Sequence, residues 1–205
     1  LFKPLNKHIN IDEYLNSLPE PIRPWVKESS FLKDKMYGIY YTNKDSLVDS
    51  LGIIKGIIWN KNFFERNGLP DLYQLKEEGK WTWEKFEEIV KKANQDTDGD
   101  GEYEKWGYCM MERMATMPLQ WIASNGGRLA KEVDGKYELA LDDPEAVQAL
   151  DFLRKLRDKE MIYLKYREDG SKKFMNGKLG MIFGSPIRMG INYQDMEDDY
   201  GFVPH

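Results

Sequence analysis

The sequence is poor in the residues that most reactive sites are built from, with one cysteine, Cys109, and two histidines, His8 and His205. A single cysteine excludes an internal disulfide, and the apolar neighbours Tyr108, Met110 and Met111 mark Cys109 as a small buried side chain. Two histidines leave almost no material for a Ser-His or Cys-His pairing, so any hydrolytic chemistry would rest on carboxylates. No run approaches the roughly 20 apolar residues of a membrane-crossing helix, and no basic-then-apolar export signal opens the chain at Leu1. An excess of positive charge is also lacking: 30 Lys and Arg stand against 35 Asp and Glu, a net charge of -5. Such a balance makes no field that gathers phosphate backbones and argues against a nucleic-acid partner.

What is present suits a folded domain. The 205 residues are 41% hydrophobic and 32% charged, a globular balance for one domain, or for one lobe with pieces of another. Residues 1–35, punctuated by Pro4, Pro19, Pro21 and Pro24, read as one short helix inside loops. The β-branched and aromatic runs 36–41 and 52–59 read as strands of one sheet. In 82–93, Trp83, Phe86, Ile89, Val90 and Ala93 recur at helical spacing behind Thr82 as N-cap, with Glu84 early and Lys91 and Lys92 late. That pattern predicts an amphipathic helix aligned with its own dipole.

Further on, 106–111 reads as a strand, 117–124 as a helix stopped by Asn125-Gly126-Gly127, and 137–141 as a short strand beside the Asp134-Gly135 turn. Asp143-Pro144 opens a helix whose stripe is Ala146, Val147, Leu150, Leu153 and Leu156. A short helix ends at 174–177, and 178–183 is a strand broken by Gly184-Ser185-Pro186. Strands alternating with helices predict an α/β fold with a mixed, mostly parallel sheet flanked by helices.

The ordered pieces YGIYY, GIIWNKNFFERNGL, WTWEKFEEIVKKA, WIASNGG, LDDPEAVQALDFLRKL, FMNGKLGMIFGS and YGFVP together resemble the extracellular solute-binding proteins of bacterial ABC importers, the maltose-binding-protein-like group of sugar binders. The resemblance spans nearly the whole chain. It implies a periplasmic-binding-protein-like lobe, with residues 1–35 the tail of a first lobe and 36–205 the second α/β lobe of a two-lobe protein. It also implies an extracellular or periplasmic location, lipid anchoring in the full-length protein, and the permease subunits of an importer as partners.

In such a protein two lobes close on the solute, each supplying aromatic platforms and polar groups. The ligand is expected to be a carbohydrate, and the contacts are expected where strand ends and their following loops line a cleft. On that reading the candidates are Tyr41, Trp59, Glu112, Arg113, Trp121 and Arg188. Tyr41, Trp59 and Trp121 have core packing as the competing role, and Glu112 and Arg113 a solvent ion pair. Sugar binders of this family often carry Trp just after the Gly-Ser break, where this chain has Ile187 and Arg188. A guanidinium there suits an acidic sugar or a densely hydroxylated oligosaccharide, because it offers a rigid fork of donors.

Residues 96–104 place oxygen ligands at alternate positions, Asp96, Asp98 and Asp100, with Gly101 at the sixth, as in the first half of a calcium loop. The twelfth position is Gly107 where an EF-hand has Glu, so a calcium sensor is not expected. The resemblance implies one structural Ca2+ held by Asp96, Asp98, Asp100 and Glu104 with the main-chain carbonyl of Glu102. Two other readings stay open: a glycoside hydrolase, which needs paired carboxylates across a cleft, and a calcium-dependent interaction module.

Overall fold

Unbroken apolar runs become central strands, because a strand covered on both faces has no side to give to water. Two such runs, β3 (Gly56–Asn60) and β7 (Leu179–Gly184), are buried at every position and lie side by side. The structure, a computed structural model, describes residues 3–18, 20, 23–39, 55–110, 117–164, 167–185, 190 and 192–204. The chain divides into two compact units, Leu1–Leu51 and Gly52–His205.

The first unit holds helices α1 (Ile11–Ser17) and α2 (Arg23–Ser30) and a hairpin of β1 (Phe31–Leu32) and β2 (Lys35–Met36). Asn10 caps α1 by accepting from the Glu13 amide at 3.3 Å. Leu15, Leu18 and Val26 form a small core with Ile11, Tyr14 and Phe31 against it. The turn between the strands puts Lys33 at φ 58°, and Asn6 accepts from the Met36 amide at 2.9 Å and donates to the Asp34 carbonyl at 3.1 Å. Two expectations change here. A second helix begins among the prolines, with Pro24 in its first turn, and Met36 pairs with Phe31 instead of opening a strand of the larger sheet. The two compact units divide after Leu51, a division by contacts and separate from the lobe boundary expected after Lys35.

In the second unit the described residues form a four-stranded mixed sheet ordered β4 (Trp106–Cys109), β7, β3, β8 (Tyr200–Val203). Only β4 and β7 are parallel; β3 is antiparallel to both β7 and β8. The sheet is therefore less parallel than the sequence pattern suggests. Side chains alternate along the central strands as the pleat requires. Ile57, Trp59, Met181 and Phe183 enter the main core, while Ile58 and Ile182 enter a second one with Cys109, Phe174 and Tyr193. Helices α3 (Lys61–Arg66), α4 (Leu72–Glu77), α5 (Trp83–Ala93), α6 (Met117–Ser124) and α7 (Pro144–Asp158) contribute to the main core, and α8 (Arg167–Met175) packs on β7 in the second.

Helix α5 forms as its spacing predicts, with Thr82 accepting from the Lys85 amide at 3.3 Å and Phe86, Ile89, Val90 and Ala93 buried. It lies so close to β4 that a Cβ on Gly107 would stand 2.6 Å from the Val90 Cα. Helix α7 starts at Pro144, but the Asp143 carboxylate pairs with Lys131 instead of capping it. Lys131 arrives on a hairpin of β5 (Ala130–Val133) and β6 (Lys136–Leu139), whose two-residue turn, Asp134 and Gly135, sits at φ 50° and 75° as the strand twist favours. The buried thiol of Cys109 faces Gly170, where a Cβ would stand 2.6 Å from its Sγ, and burial pushes its pKa up to about 12.

Candidate functional site

Strand direction decides which side chains can share a site. β4 and β7 run parallel and finish together, at Met110 and at Gly184-Ser185, while the antiparallel partners bring the start of β3 and the end of β8 to the same place, Gly56 opposite Gly184 and Ile57 opposite Val203. This end of the sheet is the rim expected for a solute site. Ser185 is buried there. The half-buried indoles of Trp81 and Trp83 lie with Ile57, near the start of β3, around one small cleft. Trp81 donates from Nε1 to the Pro204 carbonyl at 2.9 Å and meets Phe86 edge-on at 6.1 Å. Trp83 stacks on Phe152 with centroids 4.9 Å apart and planes at 20°.

The six expected ligand residues fall into two groups. Tyr41, Glu112, Arg113 and Arg188 lie outside the described residues; in the sequence, Glu112 and Arg113 come shortly after Met110, and Arg188 shortly after Ser185, the two strand ends that meet at the rim. Trp59 and Trp121 are both described, and both are core. Trp59 is 1% exposed, edge-on to Phe64 at 5.0 Å and to Tyr73 at 5.6 Å. Its indole nitrogen is buried without a hydrogen-bond partner among the described residues. Its strand is antiparallel to β7, so the carboxyl end of β3 points away from the rim, which the sequence could not show. Trp121 is also 1% exposed, packed among Trp83, Phe86 and Phe152. Neither offers a face to a solute. Sequence reasoning missed Trp81 and Trp83 as rim residues, although two tryptophans bracketing a helix N-cap were the available signal.

The acidic loop joins α5 to β4 and is closed at its neck by a bridge between Gln95 and Lys105. One carboxylate oxygen from each of Asp96, Asp98, Asp100 and Glu104 lies within 4.8 Å of the others. The loop is wound so that its own amides approach these groups. Asp96 accepts from Gly99 at 2.6 Å and Gly101 at 2.9 Å, Asp100 from Glu102 at 2.8 Å, and Glu104 from the Thr97 hydroxyl at 2.7 Å. Gly99 and Gly101 take φ of 82° and 94°, where a Cβ would be strained. Amide donors, from Gly99 first, hold the Asp96 carboxyl below the usual range, and Thr97 does the same for Glu104. Four hard oxygen donors at this spacing fit Ca2+. Glu102 belongs to the same turn, but its carboxylate is not among the four.

At the end of the sheet opposite the rim, an open depression of about 490 Å3 lies beside Arg66, Gly177 and Asp198. Arg66 binds both oxygens of Asp198, at 2.8 and 2.6 Å, and the buried Asn60 donates to the same carboxylate at 2.8 Å. The Arg66 hydrogen bond is the main cause holding the Asp198 carboxyl below its usual range. The ion pair ties the end of α3, and the Asn60 bond the end of β3, to the segment before β8, a structural tie remote from the rim.

A family model described as bacterial extracellular solute-binding protein matches residues 1–204. The chain belongs to this family. Among solved structures, this solute-binding protein chain is similar to the maltose/maltodextrin-binding domain of Bdellovibrio bacteriovorus bound to maltotriose, with a TM-score of 0.66 and 21% identity, covering 99% of this chain and 46% of that one. It is also similar to the Thermus thermophilus maltotriose binding protein with maltotriose (0.59, 19%, covering 100% and 47%). A third is an ABC substrate-binding protein of Listeria monocytogenes in complex with cycloalternan (0.61, 21%, covering 98% and 47%). No curated protein matches the sequence. At these identities the likeness establishes the fold, and the solute-binding protein chain spans about half the length of the structures it matches. The family is one of binding proteins, and among the described residues no helix is long and apolar enough to cross a membrane.

Proposed function

We propose that the protein captures a carbohydrate, an oligosaccharide, outside the cytoplasm and delivers it to the permease subunits of an ABC importer, without chemical change to the solute. The full-length protein is held at the membrane by a lipid anchor in this reading. The observation that carries it is the family match over residues 1–204; the sugars bound in structures of the same fold support the solute class. The half-buried indole of Trp83, beside Ile57 near the start of β3, is the kind of aromatic group that receives the C–H face of a sugar. Glu112, Arg113 and Arg188 supply the polar contacts from the segments that follow those strand ends, and Tyr41 adds an aromatic face.

The test is calorimetric titration of the full-length protein with neutral maltotriose and with an acidic galacturonate oligomer, alongside chromatography of the incubated sugars. Saturable binding with the sugar recovered intact is the expected result. Products of cleavage, or no heat with either sugar, would remove the reading. The guanidinium of Arg188 further predicts that the acidic oligomer binds more tightly, and equal or better binding of maltotriose counts against that role.

The same reading places one structural Ca2+ on Asp96, Asp98, Asp100 and Glu104 with the Glu102 carbonyl. The ion would offset half the charge of four neighbouring carboxylates and fix the loop between α5 and β4. Calcium at about ten times its dissociation constant should then add roughly 1.4 kcal/mol, raising the melting temperature of a chelator-stripped sample by about 3–6 °C. Asp100→Asn should abolish most of that rise. An unchanged melting curve on calcium addition would show that the loop is only a solvated turn.

A further inference from the structure

An edge strand leaves every second residue's backbone groups facing outward, and these need either water or a cover. Among the described residues β8 is such an edge, paired through β3 alone. Its outward groups are met by side chains instead of another strand. The Phe202 amide donates to the Tyr73 hydroxyl at 3.0 Å, and two residues on, the Pro204 carbonyl accepts from Trp81 Nε1 at 2.9 Å. Both rings are themselves fixed by packing, Tyr73 edge-on to Trp59 at 5.6 Å and Trp81 edge-on to Phe86 at 6.1 Å. Gly201 clears the way, since a Cβ there would stand 2.6 Å from the Tyr73 hydroxyl and 2.5 Å from the Trp59 nitrogen.

We infer that Trp81 is a positioning residue for the solute rim, with Tyr73 as its partner one step earlier on the strand. The two act as a side-chain edge that sets the course of β8 up to the end of the sheet at which β4 and β7 also finish. Trp81 touches the solute only through the backbone it holds. This inference rests on the solute-binding reading for its consequence, and on the two hydrogen bonds for its geometry. A site whose supporting backbone is loose by a fraction of an ångström loses affinity before it loses fold.

The test uses Trp81→Phe and Tyr73→Phe in the full-length protein, since each keeps a ring and removes one hydrogen-bonding group. Amide hydrogen exchange is read at Phe202 and Val203, with Ile58 and Ile182 in the sheet centre as controls. Exchange at the β8 positions should rise about tenfold or more while the controls hold their rates, the signature of local opening. The maltotriose dissociation constant should rise several-fold for Trp81→Phe at an almost unchanged melting temperature. Unchanged exchange at Phe202 and Val203 overturns the inference. Faster exchange with unaltered maltotriose affinity also overturns it, because the contact would then be structural alone. If the parent protein binds no maltotriose, that result bears on the carbohydrate reading, and the exchange rates still decide whether the two rings hold β8.

Discussion

Trp121→Ala should destabilise the protein by about 3–5 kcal/mol, the range for deleting a fully buried aromatic side chain. The residue is 1% exposed and its indole meets Trp83, Phe86 and Phe152 at centroid distances of 5.6, 5.2 and 5.4 Å. Alanine would leave those three rings facing a void that the rigid α5–β4 pairing cannot close by collapse. Urea unfolding checks this: the midpoint should fall sharply with little change in slope. A small stability loss joined to a large loss of sugar affinity would instead restore Trp121 as a ligand platform. Its neighbour at the rim, Trp83, shows why the two roles are easily confused, since one face of the same aromatic group is core and the other is half-open.

Gly107→Val is expected to cost about 3 kcal/mol or more, at the upper end of overpacking effects. A Cβ at this position would stand 2.6 Å from the Val90 Cα and 2.7 Å from its carbonyl oxygen. These are backbone atoms of α5, so no rotamer change relieves the clash, and the helix must move off the strand. The movement would also strain the Gly107 amide's bond to Asn94 Oδ1 at 2.7 Å and the Asn94 bond to the Met161 carbonyl at 2.8 Å. Thermal melting of the variant would measure the loss. A melting temperature within a degree or two of the parent would mean that the contact between α5 and β4 is far more yielding than its geometry implies.

Local features of the fold were legible because local physics fixes them. Helix α5 announces itself through the spacing of Phe86, Ile89, Val90 and Ala93 and through Thr82, and the acidic loop through three alternating aspartates and Gly101. Helix α2 was hidden because Pro19, Pro21 and Pro24 read as loop punctuation, whereas Pro is compatible with a first helical turn. Asp143 looked like a helix cap, and a lysine brought by the β5–β6 hairpin claimed its carboxylate.

Strand direction was the costliest gap, because pairing is set by distant partners and not by the strand's own residues. With β3 antiparallel to β7, Trp59 moves from the expected cleft to the core at the far end. The rim itself was legible only as the family resemblance gave it. The indole of Trp81 reaching the Pro204 carbonyl links residues too far apart in the chain for any pattern to reveal.

The surroundings of Cys109 have a practical consequence. With the one thiol of these 205 residues sealed behind Gly170 and kept protonated at neutral pH, a cysteine introduced on the surface of this 205-residue chain will carry a dye or spin label by itself. Distances across the molecule can then be followed in the native sequence background, with no preliminary removal of sulfur chemistry.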